Sequence, residues 1–154
     1  MRLGLAILVF MVAAAEPVLG QTLEGVWKPV EVVVDSGASR GRHATDVQPG
    51  LLIFTKRHYS TIFVQGFSPR PQLSDSATNE ELGRVFSPFT ANAGTYQRGG
   101  STITFTPIVA KVPAVMSGRP FILEIQLRAD TLWVTSPPGT SGRSRVTWVR
   151  AERP

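Results

Sequence analysis

Between residues 25 and 150 the chain is cut into about eight short runs of β-branched and aromatic residues, each ended by Gly, Pro or a charged turn. Only one window breaks this rhythm with helical spacing. Short strands in such close succession fold as an antiparallel barrel or sandwich. The first run sets the tone. Leu23-Glu24-Gly25-Val26-Trp27-Lys28 places a Gly, where backbone can approach closely, two residues before a large aromatic at the head of a strand. Val30, Val32, Val33 and Val34 follow with high strand preference. The alternation is imperfect around Pro29, which cannot donate a ladder hydrogen bond. A bulge or an edge there resets the phase. A small closed sheet plugged at one end by Trp27 combines these features.

The remaining runs follow in order. Residues 50–55 and 59–64 form a hairpin about Lys56-Arg57-His58, with Tyr59, Thr61 and Phe63 on one face. A Pro-bearing loop spans 66–75. Thr78-Asn79-Glu80-Glu81 then fits a capping box, and Leu82, Val85, Phe86 and Phe89 recur at helical spacing. One short helix over 79–87 is predicted, broken by Pro88, with room for a further turn after it. Gly94-Thr95-Tyr96 opens the next strand and Arg98-Gly99-Gly100 turns it into 102–106. Residues 108–115 are apolar but interrupted by Lys111 and Pro113, and their state is left open. Over 121–128, Phe121, Leu123, Ile125 and Leu127 share one face, and Ile122, Glu124, Gln126 and Arg128 the other. Strands over 132–135 and 145–150 close the chain, which shows no repeat and no second domain.

Composition narrows the function classes. The absence of Cys removes disulfides, thiol nucleophiles and Cys-ligated metals. The formal charge is +5, carried almost wholly by Arg, because only Lys28, Lys56 and Lys111 are Lys. These charges are dispersed, without the basic stripe that nucleic-acid binding needs, so no nucleic-acid partner is expected. Met1-Arg2, the apolar run 3–15 and the small residues before Gln21 read as a secretory signal peptide over residues 1–20, cleaved after Gly20. The run is shorter than the roughly 20 residues that span a bilayer, so stable membrane insertion is not expected. The folded domain is then 21–154, exported to the periplasm or beyond.

The order of five short motifs resembles the bacterial and fungal lipocalin-like domain proteins, barrels of the calycin type. Leu23 to Lys28 matches their Leu-x-Gly-x-Trp-Lys opening, and Gly50-Leu51-Leu52-Ile53-Phe54-Thr55 their first hairpin strand. Gly94-Thr95-Tyr96 follows the helix, Leu132 to Pro138 matches a late Leu-x-Val-x-Ser-Pro-Pro element, and Trp148-Val149-Arg150 the closing strand. The resemblance implies a barrel with Trp27, beside Gly25, at its closed end. It also implies a basic residue from the last strand, Arg150 or else Arg145, packed across the indole as a cation–π pair.

Catalytic chemistry finds little support. His43 lies in a polar loop and His58 in a turn; with Asp46 they fall short of a metal-ligand set, and surface His is the reading adopted. No nucleophile elbow is present. Glu80 and Glu81 stand at a helix start, where they complement the dipole rather than act as an acid/base pair. Arg98-Gly99-Gly100 lacks the Lys and helix of a phosphate loop. No motif calls for a cofactor or a metal. Phe54, Tyr59, Phe63, Tyr96, Phe105, Phe121 and Trp133 are the candidate pocket-lining residues. Arg119, Arg128 and Arg150 are candidates to hold an anionic head group, with Arg128 taken as the pocket cation.

The sequence therefore predicts an all-β, antiparallel, lipocalin-like barrel of about eight strands with one short helix. Its expected function is binding of a small apolar or amphipathic ligand. The alternatives are a cofactor-free isomerase or cyclase using the same cavity, and an inhibitor-type module acting through the open-end loops at 66–75 and 112–118.

Overall fold

The computed structural model describes residues 22–137 and 142–154. The expected leader over residues 1–20 and the Pro138 end of the late motif lie outside them. Among the described residues nine strands form one sheet: β1 (Gly25–Val34), β2 (His43–Ala44), β3 (Gly50–Phe54), β4 (His58–Val64), β5 (Phe89–Gly99), β6 (Thr102–Ala110), β7 (Phe121–Arg128), β8 (Thr131–Thr135) and β9 (Ser144–Glu152). Their spatial order is β2-β1-β3-β4-β5-β6-β7-β8-β9, with β1 also paired to β9. Every pairing is antiparallel. The β1–β9 seam closes eight strands into an up-and-down barrel, and the two-residue β2 lies outside the ring against β1. An even strand number is what lets such a meander close with antiparallel neighbours throughout. The architecture is consistent with a calycin-like fold.

β1 serves two partners because it bends. Gly25 to Trp27 pair with β3, whereas Val32 and Val33 pair with β2. Against β9 its register slips between Val26 and Trp27, and again between Pro29 and Glu31. The second slip lies directly after Pro29, where the sequence pattern predicts a bulge. A third irregularity lies between Ala93 and Gly94 on β5. A Cβ at Gly94 would stand 2.1 Å from the Thr106 carbonyl oxygen, so only Gly fits that bulge.

The connections are polarised. Tight turns at 55–57, 100–101 and 129–130 sit at one end. The longer segments join the strands at the other end, and both helices belong there: α1 (Asn79–Phe86) and α2 (Pro113–Met116). The predicted capping box is present: the Thr78 N–H donates to Glu81 Oε2 at 2.8 Å, and the Glu81 N–H to Thr78 Oγ1 at 3.3 Å. The turn considered after Pro88 is absent, because the chain enters β5 at Phe89 and pairs at once with Val64. β5 thus begins five residues before Gly94. The open segment 108–115 divides between the end of β6 and α2, with Pro113 in the first turn of that helix. Lys111, between them, donates its Nζ to the carbonyls of Phe86, Ser87 and Phe89. It thereby caps the C-terminus of α1, where a cation is favoured.

Candidate ligand cavity and barrel plug

The closed end is built around Trp27, which is fully buried. Its indole Nε1–H donates to the Leu23 carbonyl at 2.8 Å, so the segment before β1 folds under the barrel. The Arg150 guanidinium lies over the Trp27 ring, 4.1 Å from its centroid. Arg150 also donates to the Glu24 carbonyl, to the Thr22 carbonyl at 2.8 Å and to Asp130 Oδ1 at 2.9 Å. One planar cation therefore ties the N-terminal segment, the β7–β8 turn and the last strand together, as its rigid fork of donors permits. Gly25 explains itself here: its φ is +123°, and a Cβ would stand 2.4 Å from the Glu152 carbonyl oxygen and 3.0 Å from Arg150 Nη1. Arg145, the alternative partner for Trp27, is an exposed residue nearer the start of β9.

Above the plug the core is aromatic. Phe54 meets Tyr96 edge-on at 4.9 Å, and Tyr59 meets Phe105 edge-on at 4.4 Å. Phe105 also stacks on Phe121 at 5.2 Å. Beyond this layer the barrel is not filled. A cavity of about 290 Å³ extends toward the open end. Tyr59, Phe105 and Trp148 form part of its wall at depth, and Phe63, Thr90, Ser136 and Ser144 part of its wall towards the open end. Among the described residues none that lines it carries a charge.

Its few polar groups are mostly paired with one another. The Tyr59 hydroxyl donates to Asn92 Oδ1 at 2.7 Å. Burial pushes the Tyr59 phenol up to about 12, so it keeps its proton. Across the β8–β9 junction the Ser144 N–H donates to Ser136 Oγ at 2.9 Å, and the Ser136 N–H to the Ser144 carbonyl at 2.9 Å. The Trp148 indole is different. Trp148 is 5 % exposed, and its buried Nε1–H has no hydrogen-bond partner among the described residues.

The eight sequence candidates for the pocket separate by depth and by face. Tyr59, Phe63, Phe105 and Phe121 line the cavity. Phe54 and Tyr96 lie nearer the plug, where the Tyr96 hydroxyl donates to the Thr55 carbonyl at 2.9 Å; they pack the floor instead of lining the space above it. Trp133 and Arg128 lie on the outer surface. The period of two decides both: Leu132 is buried and Val134 lines the cavity, so Trp133 between them points outward. Arg128 shares the exposed face of β7 with Ile122, Glu124 and Gln126. Among the described residues no cation thus lines the cavity, and an anionic head group finds no charged partner there.

Sequence reading missed Asn92, Trp148 and the Ser136–Ser144 pair. Trp148 was within reach, because it stands two residues from Arg150 and must share its inward face. Asn92 carried no signal, for the Thr-Ala-Asn-Ala run around it has weak strand preference.

On the outer surface Glu31 accepts from Thr147 Oγ1 at 2.7 Å and meets His43 Nε2 at 2.8 Å. The Thr147 hydroxyl first, and His43 second, hold its carboxyl below the usual value. His58 begins β4, on a different element from His43. Among the described residues no three His, Asp or Glu side chains gather as a metal site. No family model, curated protein or solved structure matches the chain, so its likeness to lipocalins rests on motif order and barrel architecture alone.

Proposed function

We propose that this protein is exported and binds a small, uncharged apolar or amphipathic molecule inside the barrel. The observation that carries the reading is the cavity above the plug: an unfilled, aromatic-lined space whose described wall carries no charged residue. Apolar surface gains by leaving water for such a space, whereas a charge would lose its hydration without compensation. The volume, about 290 Å³, is near the lower limit for small-molecule sites, which fits a compact ligand. Export rests on the sequence pattern of residues 1–20.

The isomerase or cyclase alternative needs a group that gives or takes a proton near neutral pH. Tyr59 is the one titratable group on the described wall, and burial moves it away from that range. The inhibitor alternative draws on Val112 and Met116, exposed around α2. It does not account for an unfilled interior.

Native mass spectrometry of the protein purified from its own host tests the proposal. A mass starting at Gln21, with an excess that disappears on denaturation, is the expected result. A bare mass, together with no uptake of added apolar probes, overturns the binding reading. A mass that retains Met1 overturns cleavage after Gly20.

A further inference from the structure

We infer that the ligand carries a hydrogen-bond acceptor, a neutral carbonyl or ether oxygen on an otherwise apolar frame, and that the indole N–H of Trp148 receives it. The inference rests on the binding reading above and narrows its ligand class.

Trp148 lies on the inner face of β9, opposite Pro29 on β1 and Leu132 on β8, and its side chain forms part of the cavity wall. Neither cross-strand neighbour has a polar side chain. Buried donors in folded proteins are nearly always paired, because an unmet N–H loses its water partners and gains nothing. The same residue type at the plug obeys this rule, with the Trp27 N–H on the Leu23 carbonyl. At Trp148 no acceptor from the described residues arrives.

The other polar groups of the wall sharpen the choice. Tyr59 has spent its proton on Asn92 Oδ1, which leaves the donor end of that amide, Nδ2, on the same wall. Ser136 and Ser144 satisfy each other. Thr61 and Thr90 add hydroxyls that can give or take a hydrogen bond. The Trp148 and Asn92 N–H groups, by contrast, can only donate and so select an acceptor, and the described wall carries no charge, which selects a neutral ligand. The indole nitrogen itself exposes less than 1 Å². Contact thus requires the ring to turn toward the space beside it, and binding should change its environment.

Tetralin and 2-tetralone form a matched pair of probes, alike in shape and differing by one carbonyl. The cavity is about twice the ~150 Å³ that accommodates benzene in an engineered core, which suits a two-ring molecule. Two-dimensional NMR of the ¹⁵N-labelled protein separates the indole N–H signals, and Trp148→Phe identifies that of Trp148. The expected result is that both probes bind, but only 2-tetralone moves the Trp148 indole proton downfield. Trp148→Phe should weaken 2-tetralone by about tenfold, the worth of one hydrogen bond, and change tetralin by about twofold or less.

If both probes bind, the Trp148 signal stays put and the substitution affects both equally, the acceptor inference is overturned and the binding reading stands. If neither probe binds, the binding reading falls and takes the inference with it. Should Trp148→Phe fail to fold, the indole shifts of the wild-type protein, assigned through Trp27→Phe and Trp133→Phe, decide by themselves.

Discussion

Arg150→Met is the substitution that most directly tests the plug. The Arg150 side chain is 6 % exposed, so its contacts are made out of water. A desolvated cation over an indole is worth about 2 kcal/mol. The two carbonyl acceptors, on Thr22 and Glu24, lose charge-assisted donors at roughly 1.5–3 kcal/mol each. These contributions share one side chain and do not add. The Asp130 pair contributes little, because Asp130 is 48 % exposed and keeps Arg153 at 2.6 Å. Met retains the apolar stem. A net loss of about 3 kcal/mol follows, at the lower end of the range for breaking a buried ionic contact. In urea, with a slope near 2 kcal/mol per M, the midpoint falls by about 1.5 M at unchanged slope. Arg150→Lys should lie between, because an ammonium keeps the charge over the ring but cannot reach three acceptors at once. A loss below about 1 kcal/mol for Met, the worth of a surface Arg, refutes the reasoning.

Trp27→Ala removes the group that Arg150 covers and leaves a void under the barrel; a loss of roughly 3–5 kcal/mol in the same urea titration is expected, and one below about 1 kcal/mol contradicts a buried plug. Acidification should act through Glu31. Thr147, then His43, lower its folded-state pKa from the ordinary 4.5, so the stability it brings is present above pH 4.5 and is lost as pH falls through the folded value. Wild type should therefore exceed Glu31→Gln in stability at pH 7, and the gap should narrow as pH falls below 4.5, read from urea melts across that range; a gap independent of pH would contradict the linkage.

The fold was legible because strand period and motif order point the same way. Phe121 to Arg128 reads inward and outward without ambiguity, and the capping box at Thr78 marks the start of α1 to the residue. What escaped the sequence was set by partners far along the chain. β5 starts at Phe89 because β4 offers it seven rungs, not because Thr90, Ala91 and Asn92 prefer extended backbone. The same non-local pairing carries Asn92 into the cavity. Trp133 and Arg128 show the opposite case. Residue type alone places both in the pocket, whereas the alternation with Leu132, Val134 and Leu127 places them outside.

Plug and cavity are not independent devices, because one strand supplies both. Trp148 and Arg150 stand two residues apart on β9 and share its inner face. Arg150 fixes the register of that strand through carbonyls that precede β1, and its own N–H donates to the Asp130 carbonyl at 2.9 Å. Pro29 faces Trp148 across the β1–β9 seam, and the ladder slips immediately beyond it. The slip in the seam thus lies beside the unpaired indole, and the plug contacts of Arg150 lie two residues along from it. Loosening the plug should consequently show itself at the Trp148 signal before the barrel as a whole unfolds.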